Sequence, residues 1–130
     1  MASSVSRGAA AKGKTKKWLE ARGYQVADLE IVRYIYTPRG RMPIKRDQFA
    51  SDLLAVGRGQ IVFVQVKSGA QCKGGTFPAA RREFGKFTFP DTARTIIIAW
   101  PPLARVPRLV ECFTDETFVE VEASIAIAGA

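Results

Sequence analysis

Residues 51–67 restrict this chain's fold more than any other segment. They read Ser-Asp-Leu-Leu-Ala-Val-Gly-Arg-Gly-Gln-Ile-Val-Phe-Val-Gln-Val-Lys, two apolar runs separated by Gly57-Arg58-Gly59. Val and Ile are stiff at χ1 and pack well on a pleated surface, so two such runs around a glycine-rich break read as a β-hairpin. A turn centred on Arg58-Gly59 sets Gly57 against Gln60, Val56 against Ile61 and Asp52 against Gln65; a four-residue loop at 57–60 gives the same register. Facing residues on an antiparallel pair share a face, with Cβ atoms about 5 Å apart. Alternation along the strand puts Lys67 on that face as well. One local element therefore gathers a carboxylate, an amide and an ammonium at the end of an apolar strand. Buried polar groups there require partners or solvent. An Asp–Lys ion pair without function is the bland reading. The functional one is a divalent-metal site, because Mg2+ takes hard oxygen ligands and few carboxylates. Asp52 then supplies the carboxylate, Gln65 its amide oxygen and Val66 its carbonyl. Lys67 orients or deprotonates the attacking water, or stabilises charge growing on a phosphate.

The flanks indicate what the hairpin is built into. Residues 1–7 form a basic Ser/Ala-rich tail, expected to be disordered, with no apolar stretch that would make it a secretory signal. Residues 8–22 read as a helix, with Ala9, Ala10 and Ala11 favouring it, Trp18 and Leu19 anchoring it and Gly23 ending it. A strand follows over 24–36, with an irregularity near Asp28, and then a basic loop over 37–48 containing Pro38, Gly40 and Pro43. After strands at 50–56 and 60–67 come a loop to Thr76 and a short helix over 77–87, with Pro78 in its first turn. Segment 94–100 is a buried strand stopped by Pro101 and Pro102, and 109–113 with 117–121 form a last hairpin. The expected fold is α/β, a single domain over 8–130 whose central mixed sheet is flanked by helices. At 130 residues and 47% hydrophobic, the chain can bury such a core.

What is missing narrows the chemistry. The chain has no histidine, which removes Ser-His and Cys-His nucleophiles and most transition-metal sites. Its two cysteines, Cys72 and Cys112, lack zinc-ligand spacing and read as ordinary residues. No apolar run approaches a membrane span, so a cytoplasmic protein without membrane contact is expected. The net charge of +8 is unevenly distributed. Residues 1–46 hold eleven Lys/Arg against three Asp/Glu, and the remainder nine against nine. A basic first third points to a polyanion, with nucleic acid the first candidate.

Asp52 followed by Gln65-Val66-Lys67 resembles the pattern of the PD-(D/E)XK nuclease superfamily, an Asp near the start of one strand and Glu-x-Lys at the end of the next. The chain is most similar to archaeal-type Holliday junction resolvases, found also in viruses. Their first helix begins Gly-x-x-x-Glu and runs to Leu-x-x-x-Gly-aromatic, matched by Gly8 to Lys12 and by Leu19, Gly23 and Tyr24. Lys67-Ser68 and Arg81-Arg82-Glu83 also fall in corresponding places, so the likeness covers roughly residues 8–100. It implies a restriction-endonuclease-like core, Mg2+ (or Mn2+) as cofactor, hydrolysis of phosphodiesters in branched DNA (or, as the alternative, a repair- or restriction-type nuclease of the same superfamily), and a homodimer, for which an apolar sheet face or Trp100-Pro101-Pro102 could serve as the interface. It implies Asp52, Gln65 and Lys67 as catalytic residues. Two positions depart from the pattern: Lys12 stands where the helix glutamate is expected, and Gln65 where the second acid is expected. Three accounts of Gln65 are open. A nearby acid (Asp47, Glu20 or Glu30) substitutes, or Gln65 is an introduced inactivating change, or the protein only binds DNA.

The basic side chains flank this centre in sequence: Lys12, Lys14 and Lys16 on the first helix, Arg39, Arg41, Lys45 and Arg46 before Asp52, and Ser68, Lys73, Arg81 and Arg82 after it. These are the expected DNA contacts. Phosphate contacts of this kind give affinity without base specificity, and nothing resembles a groove-reading helix, so recognition by shape is expected. Phe77, Phe84, Phe87 and Phe89 read as core or dimer-surface residues, and the acidic stretch 111–122 as a surface turned from DNA or toward a neighbouring subunit.

Overall fold

The structure is a computed structural model that describes residues 4–73, 76–113 and 117–121. Helix α1 (Ser4–Glu20) leads into strand β1 (Gln25–Asp28), and strands β2 (Ile31–Thr37) and β3 (Gly40–Arg46) follow. Strands β4 (Leu53–Gly57) and β5 (Gln60–Ser68) form the expected hairpin. A 3₁₀ turn (Gly69–Cys72) and helix α2 (Pro78–Gly85) then cross to β6 (Ala93–Trp100), β7 (Arg108–Cys112) and β8 (Phe118–Val121). Six strands make a mixed sheet in the order β1-β4-β5-β6-β7-β8, while β2 and β3 form a separate two-stranded ribbon. Among the described strands only the β5–β6 pair is parallel, and α2 lies in the crossover that a parallel pair needs.

The hairpin register is as the sequence predicts: Gly57 opposes Gln60 and Leu53 opposes Val64. Arg58 and Gly59 both have positive φ, the condition of the primed two-residue turns whose twist suits a hairpin. Each sheet face carries its own core. On one, Ala11 and Leu19 of α1 pack with Leu53, Ala55, Val62, Val64, Ile96, Ile98 and Trp100. On the other, Phe77, Ala80 and Phe84 pack with Ile97, Ala99, Val110 and Cys112. β6 is therefore covered on both faces, which is why its sequence is continuously apolar rather than alternating. Helix α1 turns Ala11, Thr15, Trp18 and Leu19 toward the sheet at the 3.6-residue period. The buried Thr15 hydroxyl donates to the Ala11 carbonyl (2.7 Å) and accepts from the Trp100 indole N–H (2.8 Å).

Several expectations are corrected. The strand expected over 24–36 is two strands in two different sheets, broken at Leu29-Glu30 just after the anticipated irregularity at Asp28. The segment expected as a basic loop is mostly strand: Pro38 and Arg39 make the turn of a hairpin, Gly40 opens β3, and Pro43 lies within β3, where its missing N–H is tolerated because a two-stranded ribbon consists of edges. The region expected as a strand from Ala50 starts only at Leu53, because Phe49 and Ala50 form a tight positive-φ turn closed by the Ser51 N–H to the Gln48 carbonyl (3.0 Å). Trp100 is buried against α1 and cannot form a surface patch with the prolines. Helix α1 begins at Ser4, inside the expected disordered tail; residues 1–3 lie outside the described residues. Cys72 and Cys112 are both free thiols, and burial pushes the Cys112 thiol up to about 12. No helix among the described residues is long and apolar enough to cross a membrane.

Candidate metal and phosphate site

The pairing of β5 is uneven, and that creates the site. Its partner β4 stops at Leu53 opposite Val64, whereas β6 runs beside it as far as Trp100 opposite Ser68. The last turn of β5 thus has one edge without a strand, and Asp52 fills that edge. The Asp52 backbone N–H donates to the Val64 carbonyl (2.8 Å), its carbonyl accepts from Leu29 N–H (2.9 Å), and its Oδ2 accepts from the Val66 N–H (2.8 Å). A side chain thus replaces a ladder bond, and the Asp52 main chain is held at the sheet end by Val64 on one side and Leu29 on the other.

A cleft of about 280 Å³ opens there. Asp52, Gln65, Val66, Lys67, Ser68 and Lys12 all line it, joined by Glu30 and Gln71. The structure brings together every residue of the expected catalytic and metal-binding set. It also distinguishes among the candidate substitute acids: carboxylate oxygens of Glu30, Asp47 and Asp52 lie within 4.8 Å of one another, whereas Glu20 sits exposed at the far end of α1. Burial pushes the Asp52 carboxyl up to about 7; the Val66 N–H opposes this, and the neighbouring charges of Asp47 and Glu30 add to it. Gln65 contributes a second unusual feature. Its amide oxygen is buried and has no hydrogen-bond partner among the described residues. An orphaned acceptor costs free energy, and this one lies in the cleft that Glu30 and Asp52 also line.

The expected DNA contacts divide into groups. Lys12 and Lys16 both pair with Asp28, at 2.9 and 2.7 Å. Burial works against the Lys12 charge, yet its hydrogen bond to Asp28 and the carboxylates of Glu30, Asp28 and Asp52 hold its pKa above the ordinary value. Lys14 points elsewhere, over the Trp100 ring (4.4 Å) and onto the Ala104 carbonyl (3.0 Å). Lys73 lines a neighbouring groove that shares Lys67 and Gln71 with the cleft. Arg81 is held by the Thr76 carbonyl (2.8 Å) and lies over Phe118, and Arg82 is exposed on α2. Arg39, Arg41, Lys45 and Arg46 belong to the β2–β3 ribbon and its turn. In the acidic C-terminal stretch, Glu111 pairs with Arg94 and Glu120 with Arg108 inside the chain; residues 114–116 and 122 lie outside the described residues. Gln71 was not signalled by sequence: it enters the cleft because its Oε1 accepts the Ser68 N–H (3.2 Å), a turn-forming contact that leaves no pattern. No protein-family model matches this chain, and no curated protein matches it.

Proposed function

We propose that this protein is a Mg2+-dependent endodeoxyribonuclease with a restriction-endonuclease-like core, acting on branched DNA in the manner of the junction resolvases it resembles. The observation that carries the reading is the meeting, in one cleft, of the Glu30 and Asp52 carboxylates, an orphaned buried amide oxygen and two lysines, with the Asp47 carboxylate within 4.8 Å of the other two. These donors fit a hard divalent cation: Asp52 and Gln65 would hold it by their side chains and Val66 by its carbonyl, and Glu30 or Asp47 would supply the negative charge that Gln65 lacks. A bound cation would supply Lewis-acid polarisation of the scissile phosphate. The chain's own groups do the rest. Lys67 aids deprotonation of the attacking water or offsets charge on the phosphoryl oxygens, and Ser68 and Lys73 hold the backbone beside it. Asp52, with a carboxyl pushed up to about 7, loses its proton near neutral pH and becomes the better ligand as it does so.

The test is cleavage of a labelled four-way junction beside a linear duplex, in Mg2+ and in Mn2+, by the chain and by its Asp52→Asn, Glu30→Gln and Gln65→Glu variants. The expected result is metal-dependent cutting of the junction, lost in Asp52→Asn and reduced at least tenfold in Glu30→Gln. Cutting by Gln65→Glu alone would make this a resolvase silenced at position 65. Binding without cutting by every variant would leave a DNA-binding protein on a nuclease fold and refute the enzyme reading.

A further inference from the structure

The cleft makes no use of the ribbon of β2 and β3. Its register runs from Ile31 opposite Arg46 to Thr37 opposite Gly40. At the tip, the Thr37 hydroxyl accepts from the Arg39 N–H (3.2 Å) and donates to the Gly40 carbonyl (2.9 Å). Neither strand packs appreciably on any other described element, and an isolated two-stranded ribbon is marginal in water. Yet both faces hold large apolar side chains in solvent: Val32, Tyr34 and Tyr36 on one, Ile35, Met42 and Ile44 on the other, with Tyr36 85% exposed. Exposed apolar surface of this extent marks an interaction site.

Charge selects the occupant. Residues 31–46 contain five Arg or Lys and no Asp or Glu, and the Arg41 guanidinium stacks over Tyr34 at 4.3 Å. A second ribbon would set like charges against each other, whereas a polyanion neutralises them. Shape agrees. Two strands lie about 4.8 Å apart, and the major groove of B-DNA, about 12 Å wide, admits a two-stranded ribbon. Apolar side chains in that groove meet thymine methyl groups, and arginines meet guanine edges or phosphates. The ribbon's seven-residue strands extend about 20 Å, roughly six base-pair steps.

We propose that the β2–β3 ribbon is a DNA-gripping arm that lies in the major groove of the duplex next to the cleft. The inference rests on the DNA reading above and gives that DNA a second point of contact. Glu30 and Asp47 stand immediately below the ribbon's first pair, Ile31 and Arg46, so the arm and the carboxylate cluster share one base. The Gln48 amide donates to the Leu29 carbonyl (3.1 Å) and ties the two legs together there.

The experiment measures fluorescence anisotropy of labelled linear duplex and of single-stranded DNA with the full chain in EDTA, across roughly 50 to 200 mM salt. It compares Arg39→Ala/Arg41→Ala and Ile35→Thr/Met42→Thr, all at exposed positions, and records the sedimentation of each. The expected results are tighter binding to duplex than to single strand, and a salt slope of log Kd that falls by about 2 in the arginine variant. The apolar variant binds several-fold more weakly with an unchanged slope. An unchanged slope and affinity in the arginine variant would overturn the proposal. So would a dimeric chain made monomeric by Ile35→Thr/Met42→Thr, which would assign the ribbon to a second copy. Because no metal is present, the result is independent of cutting. A chain that never cuts but shows these shifts keeps the arm and loses the nuclease. A chain that cuts with ribbon-independent binding keeps the nuclease and loses the arm.

Discussion

Replacing Asp52 by Asn should make the metal-free protein more stable, not less. The asparagine has the same shape and keeps an oxygen for the Val66 N–H, but it carries no charge. Burial is the main reason the Asp52 carboxyl rises from its ordinary 3.8 to about 7, with Asp47 and Glu30 adding repulsion. At about 1.36 kcal/mol per pH unit, that distance bounds the cost of the ionised group at about 4 kcal/mol. Solvent at the cleft mouth lowers the realised figure to about 1–4 kcal/mol. Between about pH 4 and pH 7 the folded protein binds more protons than the unfolded chain, so stability falls as pH rises through that window. The cost is complete above about pH 7 and vanishes below about pH 4. Urea unfolding in EDTA near pH 8 should therefore show Asp52→Asn ahead by about 1–4 kcal/mol, and near pH 4 the two proteins should be equal. Adding Mg2+ should stabilise the parent and leave the variant unmoved. An Asp52→Asn protein that is no more stable near pH 8, or equally changed at both pH values, would refute the desolvated carboxylate cluster and the cation site built on it.

Gly57→Ala places a Cβ 2.5 Å from the Gly23 carbonyl oxygen and 2.9 Å from the Tyr24 Cα, both backbone atoms, so the turn leading into β1 must shift; a loss of about 1–3 kcal/mol in denaturant unfolding is expected. Thr15→Val keeps the shape but removes the acceptor of the buried Trp100 indole N–H, and should cost about 1–3 kcal/mol, read by chemical unfolding. Asp28→Ala breaks two half-exposed ion pairs at a cost under about 1 kcal/mol, yet frees Lys12 and Lys16 and so should tighten DNA binding and steepen its salt dependence. The Lys16 hydrogen bond, opposed by burial and joined by Lys12, holds the Asp28 carboxyl below the usual range; the parent's small advantage is therefore present above that range and fades as pH falls through the lowered value.

The hairpin was legible because its information is local. Alternation, a Gly-flanked turn and period two fix a register within seventeen residues, and Asp52, Gln65 and Lys67 fall into one cleft as a consequence. The helices and the buried β6 were legible for the same reason, since apolar anchors, Gly23 and Pro78 mark their positions. The β2–β3 ribbon was illegible because Pro38, Gly40, Pro43 and the crowded arginines are loop signals by composition, while the pairing that makes them a ribbon is a tertiary fact. The break after Asp28 was half visible: the irregularity could be read, but not that the chain leaves one sheet for another, because Leu29 is captured by Asp52, twenty-three positions away. The orphaned Gln65 oxygen could not be read at all. A glutamine at a strand end looks like any other, and its burial without a partner is a tertiary fact.

The two departures from the nuclease pattern have a joint electrostatic consequence. Gln65 stands where the pattern has an acid, and Lys12, a cation, lines the same cleft. The ribbon base brings two acids back, Glu30 and Asp47, beside Asp52. Lys12 and Lys67 offset most of that negative charge, and Asp52 itself is protonated for part of the time near neutral pH. If the proposed cation binds through Asp52, it must displace a proton, so its affinity should climb steeply as pH rises through about 7. Protein that binds Mg2+ weakly below neutral pH and well above it is what this arrangement dictates; affinity flat across that range would mean that Asp52 is not a ligand. The amide at position 65 does not abolish the site on this view. On the proposed reading it weakens the site, and part of the site's charge comes instead from Glu30 and Asp47 at the base of the ribbon proposed to grip DNA.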